Sequence, residues 1–303
     1  MPILLIDGNN TLHKAHWAAN ASGNRLVNSR GEFVGSIFMF LKTIKAYADN
    51  FQTAQVYIAW DKKLNPELSN FRKELTGGTY KGTRDPSKNE EIYKDVDDIV
   101  AATGLLGVKN IFPGRLEADD VISWLCNALP GEKVIISADK DFIQLVDANV
   151  SCYNPSKKEK ICAANVESIM GMTTKEFVYY KAIAGDVSDN IPGLAGYGPV
   201  KGTKLAKAIV AGTPIEEKHK AIIERNLLLV DLSHGLTLHE DEIQLYQEQL
   251  DALKSKVPQF DEFLQLCEQK EFESIIRSFD YWKTTFSKQE TGDLLAGYFK
   301  LFE

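Results

Sequence analysis

The sequence predicts an α/β fold built on a parallel sheet. Two observations predict it. Short apolar runs alternate with segments of helical period through residue 150. These runs are continuous rather than alternating, as in strands buried on both faces. In such sheets, sites form at the carboxyl ends of the strands. Asp7, Asp61 and Asp139 all follow their apolar runs, so the three are expected to meet at that edge.

Residues 2–6 form the first run, before Asp7. Residues 33–48 carry apolar positions at helical spacing, and residues 54–60 are a second strand ending at Asp61. The stretch 62–90 has little apolar periodicity and several Gly, Pro and Asn residues. It carries Lys62, Lys63, Arg72, Lys73, Lys81, Arg84 and Lys88, with Phe71 and Tyr80 interleaved. A long irregular or weakly helical insertion of this kind is often functional. Residues 107–112 read as a third strand, 117–129 as a helix with apolar Val121, Ile122 and Leu125, and 133–138 as a fourth strand. Beyond about residue 170 the pattern turns helical, with apolar positions at three and four spacing in 174–185, 200–211, 215–230 and 245–303. The expected division is an α/β domain over 1–170 and a helical domain over 171–303, with no flexible linker between them.

At 303 residues the chain is long enough for a sizeable core, and 44% apolar with 25% charged residues is ordinary for a soluble globular protein. No apolar run approaches the roughly 20 residues of a membrane span. The apolar start reaches Asp7 too soon for a signal peptide, so no leader is expected. Cys126, Cys152, Cys162 and Cys267 form no CxxC pair, and no His follows them at zinc-finger spacing. They read as free thiols of a reducing cytosol. The net charge of −7 argues against a nucleic-acid binder. Setting aside nine clustered carboxylates leaves the remainder weakly positive, so a polyanionic partner is not excluded.

Those nine are Asp7, Asp61, Glu117, Asp119, Asp120, Asp139, Asp141, Asp186 and Asp189. Crowded carboxylates repel one another and lose hydration. A fold that gathers them most plausibly holds hard divalent cations, and oxygen-only ligands suit Mg²⁺ or Mn²⁺. Two such ions make a phosphodiester-cleaving centre. Asp139 and Asp141 are two apart after a strand, so on extended backbone both face the same way. An Asp-rich turn or a helix cap has the same spacing. Glu117, Asp119 and Asp120 open a helix, where acids are also favoured by the dipole. Asp186 and Asp189, three apart, share a face of a helical turn that Asn190-Ile191-Pro192-Gly193 ends, and a capped turn is the alternative there.

The glycines of GLAGYGP, among them Gly196 and Gly198, permit a tight hairpin whose N–H groups can approach a phosphate. Pro199 suits the first position of the helix that follows, along which Lys201, Lys204 and Lys207 project. Most Gly-rich turns are only turns. In the insertion, cations can contact phosphates and aromatics can stack on unpaired bases, although a solvated charged loop is the usual case. His13 and His16 are expected to pack or hydrogen-bond, and Trp17, Trp60 and Trp124 to lie in the core.

Taken in order, these segments resemble the 5′-nuclease family: flap endonucleases, phage 5′→3′ exonucleases and the N-terminal domain of bacterial DNA polymerase I. The resemblance runs from about residue 3 to about 235 and is carried by IDGNNTLHKAHWA, SRGEFVGSIFMFLKTI, TYKGTR, LEADD, SADKDFIQLV and GDVSDNIPGLAGYGPVKG. It implies a PIN-like parallel sheet flanked by helices, a helical arch over about 62–95 and a helix–three-turn–helix DNA-binding motif over about 183–211. It implies that Asp7, Asp61, Glu117 and Asp119 surround a first Mg²⁺ with Asp120 adjacent. Asp139, Asp141, Asp186 and Asp189 would position a second, with Mn²⁺ able to substitute. Lys81 and Arg84 would contact the scissile phosphate, Tyr80 would stack on a terminal base, and Lys14 stands where the family often has Arg. Family hairpins can also hold K⁺ through backbone carbonyls. The hairpin usually reads Gly-x-Gly-x-Lys, whereas here Lys201 comes one residue later.

The resemblance further implies cleavage of DNA at 5′ flaps, nicks or ends, and of RNA annealed to DNA, by a monomer in a bacterial or phage-infected cytoplasm, at the nucleoid. No polymerase domain is recognised, so the nuclease is expected to stand alone. A haloacid-dehalogenase-type phosphatase also starts with Asp after a strand, but it wants a second Asp where Asn9 stands. A branched-DNA-binding module without catalysis should have lost at least one of the acids. Residues 236–303 show no assignable motif. Their ending, LLAGYFKLFE, reads as a packed terminal helix, with contact to a replication protein as the alternative.

Overall fold

The computed structural model describes residues 1–21, 25–83 and 90–287, so Arg84, Lys88 and the LLAGYFKLFE terminus lie outside the described residues. Along the chain the elements run β1 (Ile3–Asp7), α1 (Gly8–Ala21), α2 (Gly35–Asn50), β2 (Val56–Ala59), α3 (Phe71–Leu75), α4 (Glu90–Tyr93), α5 (Val96–Leu105), β3 (Lys109–Ile111), α6 (Ala118–Ala128) and β4 (Lys133–Ile136). A 3₁₀ turn (Asp141–Leu145) follows, then β5 (Val150–Asn154), β6 (Glu159–Ile161), α7 (Val166–Met170), α8 (Thr174–Ala184), β7 (Gly185–Asp186) and β8 (Ile191–Pro192). The rest is helical: α9 (Pro199–Val210), α10 (Glu217–Val230), α11 (Leu232–Leu238), α12 (Glu240–Lys254), α13 (Phe260–Lys270) and α14 (Glu273–Arg277). The fold is α/β with a mostly parallel sheet and flanking helices, as the alternation of runs predicts.

Contacts group the chain into two compact units, each assembled from separate stretches. One is Met1–Trp60, Pro86–Ile111 and Glu248–Glu303; the other is Asp61–Asp85 and Phe112–Gln247. The change of pattern near residue 170 is therefore a change of secondary structure inside the second unit.

In the first unit, β1 pairs parallel with β2 (Leu4 opposite Val56) and β2 with β3 (Ile58 opposite Asn110). Leu4, Leu5, Ile6, Val56 and Ile58 are fully buried, which is why these runs carry no polar alternation. The chain leaves β1 through Gly8, where a Cβ would lie 2.8 Å from the Ala59 carbonyl oxygen and from the Trp60 ring, so only glycine fits. Residues without an assignable motif supply core here: Phe272 meets Phe38 of α2, and the Thr285 hydroxyl donates to Asp49 at 2.7 Å. Trp60 is buried and its indole donates to Asn110, whereas Trp17 is 59% exposed, contrary to its expected place in the core. His16 is buried against the Ser36 hydroxyl at 3.0 Å, and His13 accepts from the Trp17 indole.

In the second unit, β4 pairs parallel with β5, and β5 turns back antiparallel to β6. α8 starts in a capping box made by Thr173 and Glu176. It packs on α9 and α10 around Ala182, Ile183, Ile191, Leu194, Ala206 and Ile223. The β7–β8 hairpin joins α8 to the loop before α9, and a Cβ at Gly185, whose φ is +76°, would strike the Gly193 backbone. Pro199 takes the first turn of α9 as predicted. Among the described residues no helix is long and apolar enough to cross a membrane.

Candidate metal centre

One cleft of the second unit is lined by Glu117, Asp119, Asp141, Asp186 and Asp189, with Arg72 and Tyr80 in its wall. The sequence assigned all five acids to metal. Asp141, Asp186 and Asp189 each offer one carboxylate oxygen lying within 4.8 Å of the other two. Three local structures produce this. Asp141 opens the 3₁₀ turn after β4, Asp186 ends β7, and Asp189 sits in the turn before β8. That turn is held by Asp186 itself, whose Oδ1 accepts the backbone N–H groups of Ser188 (2.7 Å) and Asp189 (3.2 Å).

Glu117 gathers the other side. It is the N-cap of α6, and Asp61 accepts the next N–H, from Ala118, at 2.9 Å. Lys81 Nζ donates to Glu117 Oε1 at 2.8 Å, and the Tyr80 hydroxyl lies 2.9 Å from Oε2 and 3.2 Å from Asp189 Oδ2. The insertion is tied to the acidic turn by its backbone too. The Lys81 N–H donates to the Asp189 carbonyl at 3.0 Å, and Asn190 Nδ2 donates to the Thr79 carbonyl at 2.8 Å. Lys81 and Asn190 both adopt positive φ, 52° and 58°, so this junction is held at a conformational cost.

Burial and charge oppose each other here. Burial alone would raise the Glu117 pKa, but Lys81 and Arg72 overcome it and hold the carboxyl below its usual range. Asp141 goes the other way: burial raises it, and Lys181 only partly opposes this. Burial would also raise Asp186, yet bonds from Lys181 and Ser188 bring it down to about 2. Lys81 stays charged, because Glu117, Asp119, Asp189 and Asp61 outweigh its loss of solvent.

Several expected roles change. Asp120 is fully buried in a bidentate pair with Arg72 (2.6 and 2.8 Å) and accepts the Glu117 N–H at 3.0 Å, so its oxygens are committed to protein donors. It tethers and does not face the cleft. Tyr80 is 3% exposed and packs on Ile183 and Ile191, so its ring is not presented for stacking. Asp139 is exposed and accepts the Asp141 N–H at 2.8 Å: a 3₁₀ turn replaces the extended backbone, and the two carboxylates do not line the cleft together. In the first unit Asp7 ends β1, 8% exposed, accepting the Asn10 N–H. The Lys14 ammonium there is buried with no hydrogen-bond partner among the described residues, and burial lowers its pKa against the pull of Asp7. Gly196, with φ +80°, and Gly198 have open space about their Cβ positions, and Lys201 and Lys204 are exposed on α9.

Two cations in the site have no sequence signal. Arg72 is one of seven in the insertion, yet among the described ones it is the one that reaches Asp120, while its Nε donates to the Leu229 carbonyl. Lys181 stands on α8 with its ammonium 2.7 Å from Asp141 and bonded to Asp186. Lys181 and Asp186 are five apart, outside the three and four spacing of helical pairs, and the turn at Gly185 is what brings them together.

An α/β fold that converges oxygen donors in one cleft defines a protein built to hold a hard cation. Residues 2–171 match the family model of the 5′-3′ exonuclease N-terminal, resolvase-like domain. The chain belongs to this family. It is 33% identical over 206 residues to DNA polymerase I of Deinococcus radiodurans, a match spanning 67% of this chain and 20% of that protein. It is 30% identical over 201 residues to a 5′-3′ exonuclease of Buchnera aphidicola, spanning 65% of this chain and 67% of the other. A 5′-3′ exonuclease of Mycoplasmopsis pulmonis is 32% identical over 206 residues, spanning 66% and 64%. Among solved structures, phage T5 5′-exonuclease with divalent zinc ions bound has a TM-score of 0.64 at 21% identity, covering 84% of this chain and 99% of that one. Flap endonuclease-1 of Methanococcus jannaschii has a TM-score of 0.54 at 13% identity, covering 95% and 93%. These two likenesses establish the fold.

Proposed function

We propose that the chain is a divalent-cation-dependent 5′-nuclease that hydrolyses phosphodiester bonds at 5′ flaps, nicks and ends of DNA, and in RNA annealed to DNA. The observation that carries this reading is the convergence of Glu117, Asp119, Asp141, Asp186 and Asp189 in one cleft of a 5′-3′ exonuclease family member. The donor set fits the cation: it is all carboxylate oxygen, which suits Mg²⁺, with Mn²⁺ as substitute. Asp141, Asp186 and Asp189 would hold one ion, and Glu117, Asp119 and Asp61 a second. The sequence motif alone adds Asp7 to the latter set, and Asp139 would act on its ion through water. Bound divalent ions supply Lewis-acid charge stabilisation and activate water for in-line attack.

The chain's own residues do the rest. Lys81, charged at the cleft, adds positive potential beside a transferring phosphate. Arg84 joins it by its place in TYKGTR. The unpartnered Lys14 ammonium supports a phosphate contact. Gly196 and Gly198 bring backbone toward a duplex phosphate at the start of α9, and Lys201 and Lys204 flank it, binding by charge and shape rather than sequence. The loop of Gly196 and Gly198 would take K⁺ on its carbonyls. We assign α8, the hairpin and α9 as the helix–three-turn–helix. The enzyme would work as a monomer at the nucleoid in replication or repair, with a replication protein as a further partner.

Asp141→Asn tests the reading. Cleavage should fall to background while flap affinity, measured by anisotropy, stays within about threefold. Normal cleavage by this variant would remove the cation assignment.

A further inference from the structure

Two of the three carboxylates gathered in this cleft, those of Asp141 and Asp186, already hold a cation, and it belongs to the protein. Lys181 Nζ is 2.7 Å from Asp141 Oδ1 and bonded to Asp186 Oδ2. These are two of the three groups whose oxygens lie within 4.8 Å of one another. Lys181 is not placed there by a mobile tail. It sits in the last turn of α8, a helix started by a capping box and anchored by Ala182 and Ile183, both fully buried. Its backbone is fixed, and only its side-chain torsions can carry the ammonium elsewhere.

Asp186 Oδ1 is taken by the Ser188 and Asp189 N–H groups, so a divalent ion on Asp186 needs the Oδ2 that Lys181 engages, and on Asp141 it meets a carboxylate that Lys181 also holds. Both cations on one pair of oxygens would stand in contact, with their repulsion little screened in a half-buried cleft. The ammonium must therefore leave, and it leaves more readily when another anion receives it. The anion that arrives with substrate is a phosphodiester oxygen. We propose that Lys181 is a positioning residue that occupies the Asp141–Asp186–Asp189 ion position in the empty enzyme, so that divalent binding there is weak until a substrate phosphate draws its ammonium away. The proposal rests on the metal-dependent reading above. It assigns Lys181 the task of keeping the acidic cleft compact without metal and of coupling ion loading to substrate arrival.

The test is Mn²⁺ binding to the full chain without DNA, read as free ion by electron paramagnetic resonance. Lys181→Met removes the charge and keeps the length. It should bind Mn²⁺ at the weaker site on the order of tenfold more tightly than wild type, since one contact charge is removed. Lys181→Arg should stay within about twofold of wild type. Far-UV circular dichroism checks the fold, and Lys181→Gln takes the place of a misfolded Met variant. Neutral variants that bind Mn²⁺ no more tightly than wild type overturn the proposal. A separate failure sinks the metal reading itself: wild type binding Mn²⁺ no better than Asp186→Asn, whether or not a flap oligonucleotide is present.

Discussion

Arg72 and Asp120 form a closed bidentate pair, NH1 to Oδ2 at 2.6 Å and NH2 to Oδ1 at 2.8 Å, with neither side chain more than 2% exposed. The pair joins the basic insertion to the first turn of α6 at the wall of the cleft, and its second anchor is the Leu229 carbonyl at the end of α10. Removing one partner strands the other charge out of water. Arg72→Met should lower stability by about 3–5 kcal/mol, and Arg72→Met combined with Asp120→Leu should recover part of that loss. Denaturant midpoints of the two variants check this. A single variant as stable as wild type would show that the pair bears no structural load.

Tyr80 gives a sharper contrast. Its hydroxyl is shared between Glu117 and Asp189, and its ring is buried. Tyr80→Phe keeps the ring and should still cost about 1.5–3 kcal/mol, the range for hydrogen bonds to charged groups. It should also weaken divalent binding, because the two carboxylates lose their common donor. If the ring stacked on a base, Phe would behave as wild type, and the same denaturation curves would show it.

Lys81→Ala removes the charge that holds the Glu117 pKa down and the positive potential over the cleft. The single-turnover rate should fall by about 10²-fold, with flap affinity changed far less. Loss confined to affinity would assign Lys81 to binding alone.

The two carboxylates on Lys181 have pKa values displaced in opposite directions, and this fixes the acid limb of stability. Asp186 lies at about 2 when folded against an ordinary 3.8, so its contribution is complete above pH 4 and is lost as pH falls toward 2. Asp141, raised by burial, contributes no stability of that sign. Asp186→Asn should therefore flatten the fall in urea midpoint between pH 4 and pH 2. An unchanged slope would mean that Lys181 does not hold Asp186 in solution.

The acids were legible as a set because all but Asp186 and Asp189 follow a strand or open a helix, and those two are spaced for one turn; local patterning reports that much. Which acid does what was less legible. Asp119 and Asp120 are neighbours, and helix geometry turns them to different faces, so sequence cannot say that Asp119 lines the cleft while Asp120 is buried on Arg72. Extended backbone would turn Asp139 and Asp141 the same way, but Lys140 between them is helical and leads into the 3₁₀ turn that opens at Asp141, which changes where each points. Tyr80, an aromatic in a charged loop, is buried by Ile183, Ile191 and Val230, all more than 100 residues away. Arg72 and Lys181 act only through partners that tertiary structure brings to them.

The most direct measurement is cleavage of a 5′-labelled flap, a nicked duplex and a single strand by the wild-type chain, each with Mg²⁺ and with EDTA. A metal-dependent nuclease should release products from the 5′ end or the flap junction in Mg²⁺ and none in EDTA. Tight flap binding with no cleavage in either Mg²⁺ or Mn²⁺ would contradict this account and leave a DNA-structure-binding module in its place.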